Sequence, residues 1–114
     1  MNSIFELAQK QIRPFLEMSG YEPKTTFFSD FTIAEVCGGK NAVRDTYNRA
    51  FKEWKNDKVY ITELVMVLNW KSWVYAETNP DLAKLYQDLW GQADQYCMDN
   101  LKDDDLQYFL KTTD

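Results

Sequence analysis

The chain has 114 residues, 45% of them hydrophobic and 16% aromatic, with four Gly and three Pro. That composition fits one ordinary globular domain and excludes a disordered or collagen-like chain. The net charge is -5, carried unevenly: residues 1–58 hold nine Lys/Arg against eight Asp/Glu, and residues 59–114 hold four against ten. An acidic surface repels phosphate backbones, which disfavours non-specific nucleic-acid binding. There is no histidine, so the commonest general base, pH switch and metal ligand are missing.

Cys37 and Cys97 are far apart and lack CxxC spacing, so both read as free thiols in a reducing compartment. The opening MNSIFELAQKQIRP has no charged region followed by an apolar run, and so does not resemble an export signal. A soluble cytoplasmic protein is expected.

In chain order, Ser3 and Glu6 have capping-box spacing. Ile4, Leu7, Ala8, Gln11, Ile12, Phe15 and Leu16 follow at helical intervals, giving an N-terminal helix over 3–19 with a kink or restart near Pro14. Tyr21, Phe27 and Phe28 then pin an irregular connection to the body. Residues 29–56 read as a short helix capped by Ser29 or Asp30, a Gly38-Gly39 turn, and an amphipathic helix from Lys40 to Lys55. In that second helix Asp45, Arg49 and Glu53 stand at i, i+4 and i+8, spacing that permits ion pairs.

Asn56-Asp57 caps the most apolar stretch, Lys58 to Thr78. Ile61, Leu64, Val65, Leu68, Ser72 and Tyr75 share one face. Met66, Trp70 and Trp73 share a second, and Tyr60, Val67 and Val74 a third. A helix apolar on so many sides belongs at the centre of its domain. Glu63, Asn69, Lys71 and Glu77 interrupt it, so it is not membrane-spanning. Asn79-Pro80 starts the next helix, about 80–100, and the short link makes the pair an antiparallel hairpin. Asp103 or Asp104 caps a last short helix over 103–111. The expected fold is all-α: a bundle of five to six helices around the hairpin, in one domain spanning 1–114.

Four constellations bear on function. The pair of helices around Gly38-Gly39 outlines a helix-turn-helix, with Lys40, Arg44, Lys52 and Lys55 on one side as candidate phosphate contacts. The outline is imperfect, because the expected apolar position falls on Arg44 and Val43 is one residue early. Asp88, Asp94, Asp99 and Asp103 to Asp105 form an acidic end that could imitate a nucleic-acid backbone; DxDxDG calcium spacing is absent. Glu63 and Glu77 are about 21 Å apart along the helix and cannot share a substrate atom. No phosphate loop, activated nucleophile, cofactor motif or metal-ligand set is present, and no catalysis is expected. Finally, Met66, Trp70 and Trp73 either lie under the N-terminal helix or form an exposed patch for a protein partner or a second copy.

The runs TTFFSDFTIAE, AVRDTYNRAFKEWK, ITELVMVLNWKSW and YFLKTTD resemble small uncharacterised proteins carried by bacterial mobile elements, over roughly Thr25 to Asp114. The resemblance implies an accessory role in conjugation, element maintenance or host defence, and assigns no site residues. The leading expectation is a non-enzymatic protein-interaction module. A DNA-binding regulator using 30–55 and an acidic inhibitor of a nucleic-acid enzyme are the alternatives.

Overall fold

The computed structural model describes residues 3–114. They form five helices: α1 (Ser3–Ser19), α2 (Phe27–Trp54), α3 (Lys58–Tyr75), α4 (Pro80–Asn100) and α5 (Asp103–Thr113). The described chain is an all-helical bundle, as the periodicity predicts. No helix among the described residues is long and apolar enough to cross a membrane.

The centre is α3. Ile61, Leu64 and Leu68 are fully buried and Val65 and Val67 nearly so. Their four-residue spacing builds the ridge that packs against α4, where Leu82, Leu85, Tyr86, Leu89, Ala93 and Cys97 supply the facing stripe. The turn between them is cut short by its caps. Asn79 Oδ1 accepts from the Leu82 amide, with Pro80 in the first turn. The start of α3 is fixed in the same way: Asp57 Oδ1 accepts from the amides of Val59 and Tyr60, each at 3.0 Å. Two otherwise orphaned donors are thereby satisfied at the start of α3 and one at the start of α4. Phe109 of α5 is buried in the assembled core.

Glycine decides the shape of α2. Gly39 has φ 67 and ψ -153, a conformation open almost only to glycine, and it breaks the helix into two limbs. Gly38 serves a different need: a Cβ there would sit 2.5 Å from Ala42 Cβ, so the limbs could not close to their present angle. The Gly38-Gly39 turn is therefore present, as an elbow inside one element rather than a loop.

Three expected helix starts differ. The first limb of α2 begins at Phe27, with Thr26 in the cap position, because the Thr25 hydroxyl already meets the Phe27 amide at 3.2 Å. Ser29 and Asp30 lie inside the helix. Lys102, not an aspartate, occupies the cap position of α5, and Asp103 takes a positive φ of 53. Ser3 is itself helical, the first described residue of α1. Nor does Pro14 end α1, which continues to Ser19.

Gly39→Ala should destabilise the protein by about 1–3 kcal/mol through backbone strain. Asp57→Ala should cost about 1 kcal/mol through loss of the cap. Urea unfolding with an unchanged m-value would check both, and a neutral Gly39→Ala would contradict the elbow geometry.

Candidate functional site

Two buried polar centres and one open groove are the places where chemistry or binding could occur. The first centre is built on Lys71. Desolvating an ammonium is expensive unless each of its three donors is met. Here all three are: Lys71 Nζ lies 2.6 Å from Thr32 Oγ1, 3.0 Å from Gln11 Oε1 and 3.1 Å from Glu35 Oε2. The Phe28 ring lies 4.3 Å away on another side. Glu35 is saturated in turn, with Tyr75 and Tyr86 donating their hydroxyls to its two oxygens. Gln11 also donates to the Tyr75 hydroxyl at 3.0 Å. The network draws on α1, α2, α3 and α4.

Burial pulls the Lys71 ammonium down from its ordinary value to about 8, against the opposing pull of Glu35. Burial first, and then the Glu35 carboxylate, push Tyr75 and Tyr86 upward. Neither Lys71 nor Glu35 borders the groove or the smaller cavity described below. The amine is enclosed by partners that consume its donors, so the arrangement fits a structural tie among helices.

Glu63 is the second centre. Its Oε1 accepts from the Tyr21 hydroxyl and the Lys24 amide, both at 2.7 Å. Oε2 accepts from the Thr25 amide at 2.9 Å and from the Thr25 hydroxyl. Four donors fill the carboxylate. They come from the α1–α2 connection, which the sequence expects to be held by its aromatics; an acid on α3 holds it as well. Burial, and then the bond to Glu63, push Tyr21 upward. A cavity of about 110 Å³ between α1, this connection and α3 touches Glu63, Trp70 and Phe28. Glu77 is exposed and takes no part.

Of the two alternatives for the Met66, Trp70 and Trp73 face, cover holds for the first two residues and exposure for the third. Met66 and Trp70 are each only 8% exposed, whereas Trp73 is 67% exposed. Phe15 of α1 stacks on Trp70 at 5.9 Å, and Tyr21 meets it edge-on at 6.2 Å. Thus the N-terminal helix covers the face up to Trp70, and Trp73 alone of the three is free.

The basic side is only partly realised. Lys40, Arg44 and Lys52 are exposed, but Lys55 is half-buried. Arg44 donates to Asn41 within the same helix at 3.3 Å. The helix-turn-helix outline also fails at Val36, which is 55% exposed instead of sitting between the limbs. At the acidic end, Asp105 pairs with Lys58 at 3.4 Å and Gln95 donates to Asp99. Asp94, one of the six aspartates, is half-buried, and burial pushes its carboxyl upward. Cys37 is an exposed thiol, and Cys97 is a buried one that burial pushes up to about 12.

The groove lies inside the elbow of α2 and has a volume of about 840 Å³. Small residues from both limbs, Ala34, Gly38, Ala42 and Ala50, line it together with Ile33, Trp54 and Tyr60. Trp54 and Tyr60 meet edge-on at 4.4 Å. The Asp45, Arg49 and Glu53 row lines the same groove. The expected ion pairs along that row are not made: among the described residues the ion pairs are Lys58–Asp105 and Lys71–Glu35. Arg49 instead reaches the Thr46 hydroxyl at 3.5 Å. This groove was not anticipated from sequence. Its signal was the run of small residues Ala34, Gly38 and Ala42 at four-residue spacing, which allows two helical limbs to approach.

No protein-family model matches the chain, and no curated protein or solved structure does either.

Glu35→Ala should cost about 3–5 kcal/mol, because it strands a buried ammonium. The double variant Glu35→Ala/Lys71→Met should recover much of that loss, and chemical denaturation of the two variants checks the ordering. A double variant no more stable than Glu35→Ala would contradict the ion-pair account. A pH series gives a second check. Between pH 8 and 10.5 the unfolded chain holds a proton at Lys71 that the folded chain has released. Stability relative to Lys71→Met should therefore rise with pH across that window, by about 1 kcal/mol per pH unit. Cys97 and Tyr47, both raised to about 12, act oppositely above about pH 9 and 10. They do so in both proteins and cancel in the comparison, whereas Tyr75 and Tyr86, raised within the Lys71 network itself, act oppositely from about pH 10, so the slope is read between about pH 8 and 10. Parallel stability curves for the two proteins would refute the low Lys71 value.

Proposed function

We propose that this protein is a non-enzymatic interaction module that receives a protein partner in the groove of the α2 elbow. One observation carries the reading: the large concavity is open, mainly apolar and bordered by unpaired charges, whereas both buried polar centres are saturated by their own neighbours. Exposed apolar side chains such as Ile33, at 38% exposure, are unfavourable in water and become useful when a partner removes them from it. We further propose, from the resemblance of the sequence runs within Thr25–Asp114 noted above, an accessory role inside the cell. It fits conjugation, element maintenance or host defence.

Trp73 offers a competing contact point, and two exposed substitutions separate it from the groove. Tagged wild type, Ile33→Asp and Trp73→Asp are cross-linked in cells that carry the gene and purified, after circular dichroism establishes that each is folded. A protein partner should be lost with Ile33→Asp and kept with Trp73→Asp. The reverse pattern would move the site to α3. Absence of any cross-linked partner would remove the interaction reading.

A further inference from the structure

The geometry and charges of the groove point to its occupant: we propose a basic amphipathic helix of the partner protein, seated apolar side down. The inference rests on the groove being the partner site and adds the chemistry of what enters it.

The shape selects a helix. The groove is bounded by two helical limbs, the start of α3 and residues 24–26 of the α1–α2 connection, where Glu63 already takes the Lys24 and Thr25 amides. An extended strand would find no edge to pair with. Small residues in the lining allow close approach, and Ile33, Trp54 and Tyr60 offer apolar contact. These are the conditions under which one helix lays an apolar stripe into a cleft formed by others.

The charge selects a basic one. Asp45 and Glu53 border the groove from the second limb and Asp30 from the first. None of the three takes part in an ion pair among the described residues. Asp30 only accepts the Thr26 hydroxyl, which leaves its charge uncompensated. Of the two cations lining the groove, Lys24 bonds the Glu22 carbonyl at 3.1 Å and lies over the Tyr21 ring at 4.6 Å. Neither contact cancels its charge, so Lys24 and Arg49 together stand against three carboxylates and the lining keeps one net negative charge. Lys or Arg side chains flanking an apolar stripe would meet carboxylates on both limbs. One of them could also lie against the Trp54–Tyr60 pair. A phosphate backbone would instead meet like charge on both sides.

The test uses fluorescein-labelled amphipathic peptides with one leucine face and a polar face of lysine, glutamate or glutamine. Anisotropy is read with the full chain. The leucine/lysine peptide should bind, and more weakly as salt rises. Asp45→Lys/Glu53→Lys and Ile33→Asp should each weaken it by about tenfold or more. Asp88→Lys/Asp99→Lys changes net charge by the same amount on exposed positions away from the groove, and should leave binding nearly unchanged. Equal binding of the glutamate or glutamine peptide would overturn the basic occupant, as would equal weakening by the remote reversal or no binding by any peptide. Those results leave the groove itself in place, because that is decided by the Ile33→Asp and Trp73→Asp cross-linking.

Discussion

The ammonium of Lys71 is the constraint to which the rest of the bundle conforms. It lies with no exposed surface among apolar side chains, where an unpaired charge would be intolerable. Its three acceptors come from α1 and both halves of a Thr32–Glu35 helical turn in α2. Glu35 then fixes Tyr75 of α3 and Tyr86 of α4. Apolar packing tolerates small slides of one helix along another; a set of directed bonds does not. Such a network adds little net stability over a well-packed apolar alternative, but it makes wrong registers costly. The aromatic packing follows that register, with Phe31 edge-on to Tyr86 at 5.7 Å and Tyr75 stacked over Tyr86 at 6.5 Å.

Glu63 does similar work at the other side of α3. Its four donors turn an irregular connection into a defined path, and that path brings Tyr21 and Phe15 onto Trp70. The cover over the indole thus depends on a carboxylate two helical turns away. The same connection delivers the chain to Phe27, from which the first limb of α2 runs to the Gly39 elbow. Internal polar ties and the outward-facing groove are parts of one arrangement: the network holds the first limb through Thr32 and Glu35, and the elbow sets the second limb against it.

Much of the fold is legible in residues 58–100. Apolar side chains at three- and four-residue spacing, Asp57 and Asn79 as caps, and Pro80 in a first turn are local signals, and local physics suffices to read them. The groove and the polar centres are less legible because they join residues far apart in sequence. Lys71 reads as an interruption of an apolar helix, and only the arrival of Gln11, Thr32 and Glu35 makes it a hub. Asp45, Arg49 and Glu53 have the spacing of an ion-pair ladder, yet the structure leaves them unpaired beside a groove. The Met66, Trp70 and Trp73 stripe is a true helical face, but whether α1 shelters it depends on the connection that Glu63 holds.

The amino-acid sequence by itself determined the helices, their order, the central hairpin and the glycine break, since backbone preference, capping and amphipathic period act over a few residues. Only the tertiary structure decided which charges were buried and matched, which tryptophan stayed in water, and where a concave surface opened. Those outcomes depend on distances between residues tens of positions apart, and burial of a charge is permitted or forbidden by partners that no local pattern identifies.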